Sequence, residues 1–299
     1  MTNKNQFMKN IIGLAILSIA LGCGGAKIDE SVGSATGTNG SGAIAKDASA
    51  VQGSKGVSSV VSVFSTEKKV GEIISYLASD ELKGREAGSE GIEMAAGYIE
   101  NIFKSNGIDP FFKNYRDTLT NFEKPAYNIV GFIEGTDKHL KNEFVIIGAH
   151  YDHIGSADAV ANDHIANGAN DNASGTTAVL EFARYFGKLK NNKRSVIFAL
   201  FSAEEKGLLG SKHLAKRLKD QNLDLYTMLN FEMVGVPLVG KDYFMYVTGY
   251  EESNLADISN TYAQEKLVGF LPTAKEYNLF KRSDNYPFHL EFGVPSQTF

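Results

Sequence analysis

FVIIGAHYDHIG, residues 144–155, has the pattern of a buried strand that leads directly into polar side chains. Its first six residues are apolar or glycine without alternation, which is typical of a strand covered on both faces. SVIFALFSAEE, residues 195–205, has the same form, and a helical pattern between the two runs begins near Ser174. Strands that alternate with helices predict an α/β domain, with a mixed, largely parallel twisted sheet covered by helices on both faces.

The remaining elements follow from hydrophobic periodicity and from β-branched or aromatic runs. Further helices are predicted over about 67–79, 89–105, 208–218 and 254–266. Further strands are predicted at YNIVGFI (127–133), TMLNFEM (227–233), YFMYVTG (243–249) and VPSQTF (294–299).

Length and composition indicate one sizeable domain. The chain has 299 residues, of which 43% are hydrophobic, and no second linker follows Val60. We therefore expect residues 60–299 to form a single domain. The formal net charge is -5 and no long run of like charges occurs, which argues against a nucleic-acid partner.

The N-terminal segment has the features of a targeting signal. Lys4 and Lys9 precede an apolar run, and IALGC, ending at Cys23, approximates a bacterial lipobox. We expect residues 1–22 to be a signal peptide and Cys23 to carry a lipid that anchors the protein to a membrane of the bacterial cell envelope. An ordinary cleaved signal peptide or a core helix are the alternatives. Residues 23–59 are rich in Gly and Ser, which predicts a flexible tether.

Polar residues follow three predicted strands at the edge where an α/β sheet carries its functional crevice. The residues concerned are His150 and Asp152, Glu204 and Glu205, and Glu232, together with Asp171 in the loop GANDNASG (168–175). Imidazole and carboxylate groups are ligands of zinc and similar divalent ions. The sequence therefore predicts a metal site at this edge. Cys23 is the only cysteine, which excludes a cysteine-based zinc site.

Residue spacing suggests how these groups are oriented. His150 and Asp152 point to the same side of an extended segment, so Asp152 could hydrogen-bond the second ring nitrogen of His150. His153 points the other way and is interpreted as structural. Glu204 and Glu205 are adjacent and should point in different directions, which suits one carboxylate on a metal and one facing an activated water.

The motifs GAHYDHIG, GANDNASG, FSAEEKGLLGS and LNFEMVG together resemble those of the di-zinc exopeptidases, the zinc aminopeptidase family related to glutamate carboxypeptidase. The similarity extends from DELKGREAGSEG (80–91) to RSDNYPFHLEFGVPS (282–296). It implies a phosphorylase/hydrolase-like fold, two Zn2+ ions and a peptide substrate cleaved at its N-terminus.

The resemblance also implies a role for each site residue. His150 and Glu232 would bind one zinc ion and Glu205 the other, with Asp171 bridging the two. Glu204 would be the general base, which takes a proton from the attacking water and passes it to the leaving amine.

The chain departs from the family pattern at two places. Many relatives have Asp at the position of Glu232. The family's last ligand is a histidine beyond the strand after GVPS, and the sequence stops at Phe299, within that strand. We expect a fragment whose gene continues; the alternative is a site that holds one metal or a labile pair. His289 is not expected to substitute, because its segment precedes the strand.

Competing functions remain open. A carboxypeptidase of the same superfamily would need an arginine for the substrate carboxylate, and Arg282 is the conspicuous candidate. A receptor-like binding domain without metals is disfavoured by Glu204 and Glu205, and a one-zinc glutaminyl cyclase by His150. Serine-hydrolase and helical zinc-protease motifs are absent from the sequence. No role follows for the remaining candidates, which are Arg85, His139, His164, His213 and Asp284.

Overall fold

The computed structural model describes residues 64–299. The predicted signal peptide (1–22), Cys23 and the tether (23–59) lie outside the described residues. The helices are α1 (Glu67–Leu77), α2 (Glu90–Ser105), α3 (Gly175–Leu189), α4 (Leu209–Asp220), α5 (Leu255–Ala263), α6 (Pro272–Glu276) and α7 (Asn285–Phe292). The strands are β1 (Asp109–Pro110), β2 (Arg116–Thr118), β3 (Tyr127–Ile133), β4 (Phe144–His150), β5 (Ser156–Val160), β6 (Asp163–Ile165), β7 (Ser195–Phe201), β8 (Leu225–Asn230), β9 (Met245–Tyr246), β10 (Val268–Gly269) and β11 (Ser296–Thr298).

The main sheet is mixed, with its parallel part on one side. Its strand order is β1-β3-β7-β4-β8-β11, and β2 pairs with β3 off this path. Strands β7, β4, β8 and β11 run parallel, whereas β3 is antiparallel to its three partners. The carboxyl ends of β4, β7 and β8 therefore meet at one edge of the sheet.

Both faces of the sheet are buried, which explains the continuous hydrophobicity of β4 and β7. Val145 and Ile147 belong to a core that includes residues of α1, α2 and α3. Ile146 faces the opposite core, where residues of α4 and α7 pack. The predicted α/β architecture with helices on both faces is confirmed.

Two helices begin where a side-chain oxygen caps the first turn. The Ser89 hydroxyl accepts the backbone N–H of Ile92 at the start of α2, and Thr66 accepts that of Lys69 at the start of α1. Such caps satisfy amide groups that have no partner within the helix. The predicted helix starts at 67 and 89 lie within one residue of those observed.

One predicted strand takes a different place. Of YFMYVTG only Met245–Tyr246 is a strand, and it pairs with β10 in a separate two-stranded sheet. It cannot join the main sheet beside β8 because β11 occupies that edge. The β5–β6 hairpin and helix α7 were not predicted. None of the helices between residues 64 and 299 combines the length and hydropathy that a membrane span requires.

Candidate metal centre

Neighbouring strands bring the predicted site residues together at one sheet edge. His150 ends β4 and is level with Phe201, the last residue of β7, while Gly148 is level with Asn230, the last residue of β8. Glu204 and Glu205 follow β7 by three and four positions, and Glu232 follows β8 by two.

His150 is held in one orientation by hydrogen bonding. Its Nδ1 lies 3.1 Å from the backbone carbonyl oxygen of Asp152, which can only accept a hydrogen bond, so Nδ1 carries a proton. Its Nε2 lies 3.3 Å from Oδ1 of Asp171. Burial opposes protonation of the ring, but Asp171 and the other carboxylates outweigh it and raise the pKa of His150. A cation at Nε2 would take the place of that second proton.

Asp152 holds the backbone of the Glu204 loop. Its carboxylate is fully buried, and its Oδ1 is 3.7 Å from Nδ1 of His150, beyond hydrogen-bonding distance. It accepts the backbone N–H groups of Glu204 at 3.2 Å and Glu205 at 3.4 Å. The contact predicted for the Asp152 carboxylate is thus made by its carbonyl oxygen, because the chain turns after His150. Burial raises the pKa of Asp152 to about 6.

Asn172 connects the Asp171 loop to the segment that carries Glu232. Its Oδ1 accepts the backbone N–H groups of Gly175 at 3.0 Å and Met233 at 3.2 Å. Its Nδ2 donates to the carbonyl oxygen of Phe231 at 3.0 Å. The Asn172 side chain is therefore bonded on both sides of Glu232. The peptide bond between Asp171 and Asn172 is cis.

Arg85 ties three segments of the chain beneath the site. Its guanidinium is buried and donates to the carbonyl oxygens of Tyr151 at 2.9 Å, Asn167 at 2.8 Å and Gly168 at 3.0 Å. It also donates to the carbonyl oxygen of Leu77. Sequence reasoning assigned no role to Arg85, because backbone carbonyl partners leave no sequence pattern.

Gly168 adapts the same loop to this contact. Its φ of 61° is in the left-handed region, and a Cβ there would lie 2.7 Å from Nη2 of Arg85. Only a residue without a side chain fits this position without displacing the guanidinium or the loop.

Carboxylates outnumber cations inside the site. Burial raises the pKa of Glu204 to about 9, and the charges of Asp284 and Glu232 add to this effect. Burial likewise raises the pKa of Glu232, whose carboxylate accepts a hydrogen bond from the Ser283 hydroxyl. Asp284, to which the sequence assigned no role, is fully buried, and burial raises its pKa to about 7.

His153 lies beside the site. Its Nδ1 is 2.7 Å from Oε1 of Glu205. Single ligand atoms of His153, Asp171 and Glu205 all lie within 4.8 Å of one another. The period-two alternation that set His153 apart from the site does not hold beyond β4, since the strand ends at His150.

These residues fit a divalent cation. His150 Nε2 and Asp171 Oδ1 are buried and face each other at 3.3 Å, and neither atom makes a well-aligned hydrogen bond among residues 64–299. Buried polar atoms are otherwise almost always satisfied. A cation would bind both atoms and offset the carboxylates, which are costly to bury unpaired. Imidazole and carboxylate donors are those of zinc sites that keep a position for water or substrate.

The other residues singled out from the sequence have different surroundings. Arg282 is exposed. The ring of His289 packs against Phe280 and Tyr286, with ring centroids 5.0 and 6.1 Å away. His213 contacts the carboxylate of Asp117 at 3.3 Å. His139 and His164 are exposed.

The chain is similar in sequence to two proteins that are named aminopeptidases. Aminopeptidase YwaD of Bacillus subtilis is 34% identical over 177 residues, which cover 58% of this chain and 35% of YwaD. A probable leucine aminopeptidase of Trichophyton verrucosum is 33% identical over 181 residues, covering 57% of this chain and 45% of that protein. The chain thus spans less than half the length of these relatives.

A solved structure and a family model complete the comparison. The aminopeptidase from Aneurinibacillus sp. strain AM-1 has a TM-score of 0.58 and 18% identity, with 80% of this chain and 86% of the other covered. That likeness concerns the fold. The model described as Peptidase family M28 matches residues 128–299, more than half of the sequence. It confirms the resemblance that the motifs indicated: the chain belongs to peptidase family M28.

Proposed function

We propose that this protein is a zinc-dependent aminopeptidase that removes N-terminal residues from peptides. The observation that carries the proposal is the convergence of His150, Asp171, Glu205 and Glu232 at the sheet edge that also carries the partly buried carboxylate of Glu204. Relatives named aminopeptidases support the same activity.

The proposed ligands are His150 and Glu232 at one position and Glu205 at the other, with Asp171 between them. Zinc bound there would polarise the scissile carbonyl and lower the pKa of the attacking water. His150 presents Nε2 for this purpose, because its Nδ1 proton is held by the Asp152 carbonyl.

Glu204 is the proposed general base. It takes a proton from the attacking water and delivers it to the amine that leaves. Burial raises the pKa of the Glu204 carboxyl in the metal-free site, and the charge of zinc bound nearby would lower this pKa again, so that the carboxylate is ionised and can accept a proton. Asp152 keeps Glu204 in place by accepting its backbone N–H.

The charge of the site favours a substrate with a free amino group. The buried carboxylates, including Asp284, make the crevice negative and suit an ammonium group. A carboxypeptidase would need a fixed cationic side chain to bind the C-terminal carboxylate of its substrate. The Arg282 side chain is exposed, so no surrounding residues hold it in one position by burial.

The test compares three substrates: leucyl-anilide, its N-acetyl derivative and an N-blocked dipeptide with a free carboxylate. We expect hydrolysis of the first alone, loss of activity after dialysis against a chelator, and recovery on adding zinc. Cleavage of the blocked dipeptide instead would identify a carboxypeptidase, and no hydrolysis with zinc bound would indicate a binding domain.

We further propose that the protein is a lipid-anchored protein of the cell envelope. The basis is the sequence around Cys23, with basic residues before the apolar run. Expression of the full chain in a bacterial host with labelled fatty acid should label the wild type and leave Cys23→Ser unlabelled. Equal labelling of both, or of neither, would overturn this proposal.

A further inference from the structure

Of the two imidazoles near Asp171, only one belongs to the ligand set that the motifs imply. His150 Nε2 is 3.3 Å from Oδ1 of Asp171. His153 Nδ1 is 2.7 Å from Oε1 of Glu205, and an Asp171 ligand atom lies within 4.8 Å of both. Asp171 therefore lies close to both imidazoles, that of His150 and that of His153.

We propose that His153 is a metal ligand, and that its Nδ1 binds the same zinc ion as Asp171 and Glu205. The inference rests on the proposed function, because it concerns one of the two zinc positions. Imidazole nitrogen and carboxylate oxygen are both zinc ligands, and a set of three protein ligands leaves a position open for water or substrate.

The surroundings of His153 hold the ring at this place. Its backbone N–H donates to the carbonyl oxygen of Arg85 at 3.2 Å, and the Arg85 guanidinium binds the carbonyl oxygen of Gly168. The segments before His153 and before Asp171 are thus tied to one residue. The side chains of His153 and Glu205 are 14% and 20% exposed, so the pair is shielded yet accessible to an ion.

A different role for His153 would be to orient Glu205 by a hydrogen bond without touching the metal. That role needs only the contact between His153 and Glu205. The presence of an Asp171 ligand atom within the same 4.8 Å group favours coordination.

The deciding experiment uses the full chain loaded with the NMR-active cadmium isotope, with its histidine rings labelled with the NMR-active nitrogen isotope. A ring nitrogen that binds cadmium is split by scalar coupling to the metal. We expect coupling at Nε2 of His150 and at Nδ1 of His153. His153→Gln should lose one coupled nitrogen and one of two bound ions, and His153→Asn should do the same if the glutamine variant folds poorly.

The matched control is His164→Gln, since His164 is exposed on the β5–β6 hairpin. It should retain every coupling and both ions. Coupling at His150 but none at His153 in the wild type would overturn this inference and leave the proposed function intact, even if His153→Gln binds metal less tightly. Absence of coupling at both histidines would overturn the inference and the zinc-dependent function together.

Discussion

Asp117 and Glu204 are acidic residues that lie largely out of solvent, and their surroundings are opposite. Asp117 accepts hydrogen bonds from Asn128 at 3.0 Å and from Arg217, and it lies 3.3 Å from His213. Burial acts to raise the pKa of Asp117, but these partners outweigh burial and lower it. Burial raises the pKa of Glu204, and its neighbours Asp284 and Glu232 raise it further.

The comparison separates a structural cluster from a functional one. Around Asp117 every charge has a partner, so the cluster stabilises the fold as it stands. Around Glu204 the carboxylates are in excess, and the protein bears an electrostatic cost that a bound cation would relieve. Strongly shifted pKa values in a crevice are typical of reactive sites.

The largest effect is expected from Glu204→Gln. Because the amide cannot accept a proton, kcat for leucyl-anilide hydrolysis should fall by about 10² to 10⁴-fold while zinc binding and the unfolding transition stay similar. Glu90→Gln, at an exposed carboxylate paired with Lys83, is the matched control and should leave kcat unchanged. A Glu204→Gln enzyme within tenfold of the wild type would exclude Glu204 as the base.

Asp117→Asn should lower the free energy of unfolding. The change removes the negative charge with which both His213 and Arg217 interact. Because Arg217 is 39% exposed, water screens part of this interaction, and we expect a loss of about 1–3 kcal/mol. Urea denaturation measures it. Asp220→Asn, at an exposed pair with Lys216 on the same helix, should change stability by less than about 0.5 kcal/mol. Equal losses of unfolding free energy in Asp117→Asn and Asp220→Asn would mean that the buried Asp117 cluster stabilises the fold no more than an exposed ion pair does.

The stability of the zinc-free protein should fall as pH rises. The folded-state pKa values of Asp152 and Asp284 are raised to about 6 and about 7. A carboxyl with a raised pKa keeps its proton in the folded state after the unfolded state has lost it, so deprotonation above pH ~4 favours unfolding. His150, whose pKa is also raised, acts in the same direction.

Melting temperatures measured in chelator should therefore be higher at pH 5 than at pH 8. With zinc present the order should reverse, because metal binding requires deprotonated ligands. If the melting temperature of the zinc-free protein instead rises from pH 5 to pH 8, then burial does not raise the pKa values of these carboxyl groups.

The smallest effect is expected from Asp284→Asn in zinc-free protein at pH 8. Neutralising a buried carboxylate that is not ion-paired within residues 64–299 should raise the free energy of unfolding by about 1 kcal/mol. The change in the free energy of unfolding would then have the opposite sign to that of Asp117→Asn, and the same urea denaturation series measures both changes. A destabilisation as large as that of Asp117→Asn would mean that a partner such as the Ser211 hydroxyl compensates the charge of Asp284.

Much of the fold could be predicted because its strands are buried on both faces. The largely apolar runs of β3, β4 and β7 fit a buried strand and no other element, and these three predicted strands coincide with the observed ones to within a residue. The prediction for β8 (227–233) differs from the observed Leu225–Asn230 by two to three residues. The bounds and pairing of β9 and β10 could not be predicted, because a strand of two residues has no side-chain periodicity. Helix α7 was missed because apolar and polar residues do not segregate along NYPFHLEF.

The candidate site was predictable where its residues end a strand, as His150 does, or follow one within three positions, as Glu204 and Glu232 do. Residues that act through backbone groups were not, because hydrogen bonds to carbonyl oxygens require no particular partner residue. Arg85 and Asn172 are of this kind. His153 was set aside because side-chain alternation was extended past the end of β4, where the chain turns.

The hydrogen bonds of Arg85 bear on how much sequence change the β5–β6 hairpin can tolerate. It binds the carbonyl oxygens of Tyr151 and Gly168, which stand before and after the exposed β5–β6 hairpin. The two ends of the insertion are fastened beneath the site independently of what lies between them. We therefore expect that the hairpin can be lengthened, shortened or exchanged without displacing His150 or Asp171, which makes it a point of this scaffold that tolerates insertions.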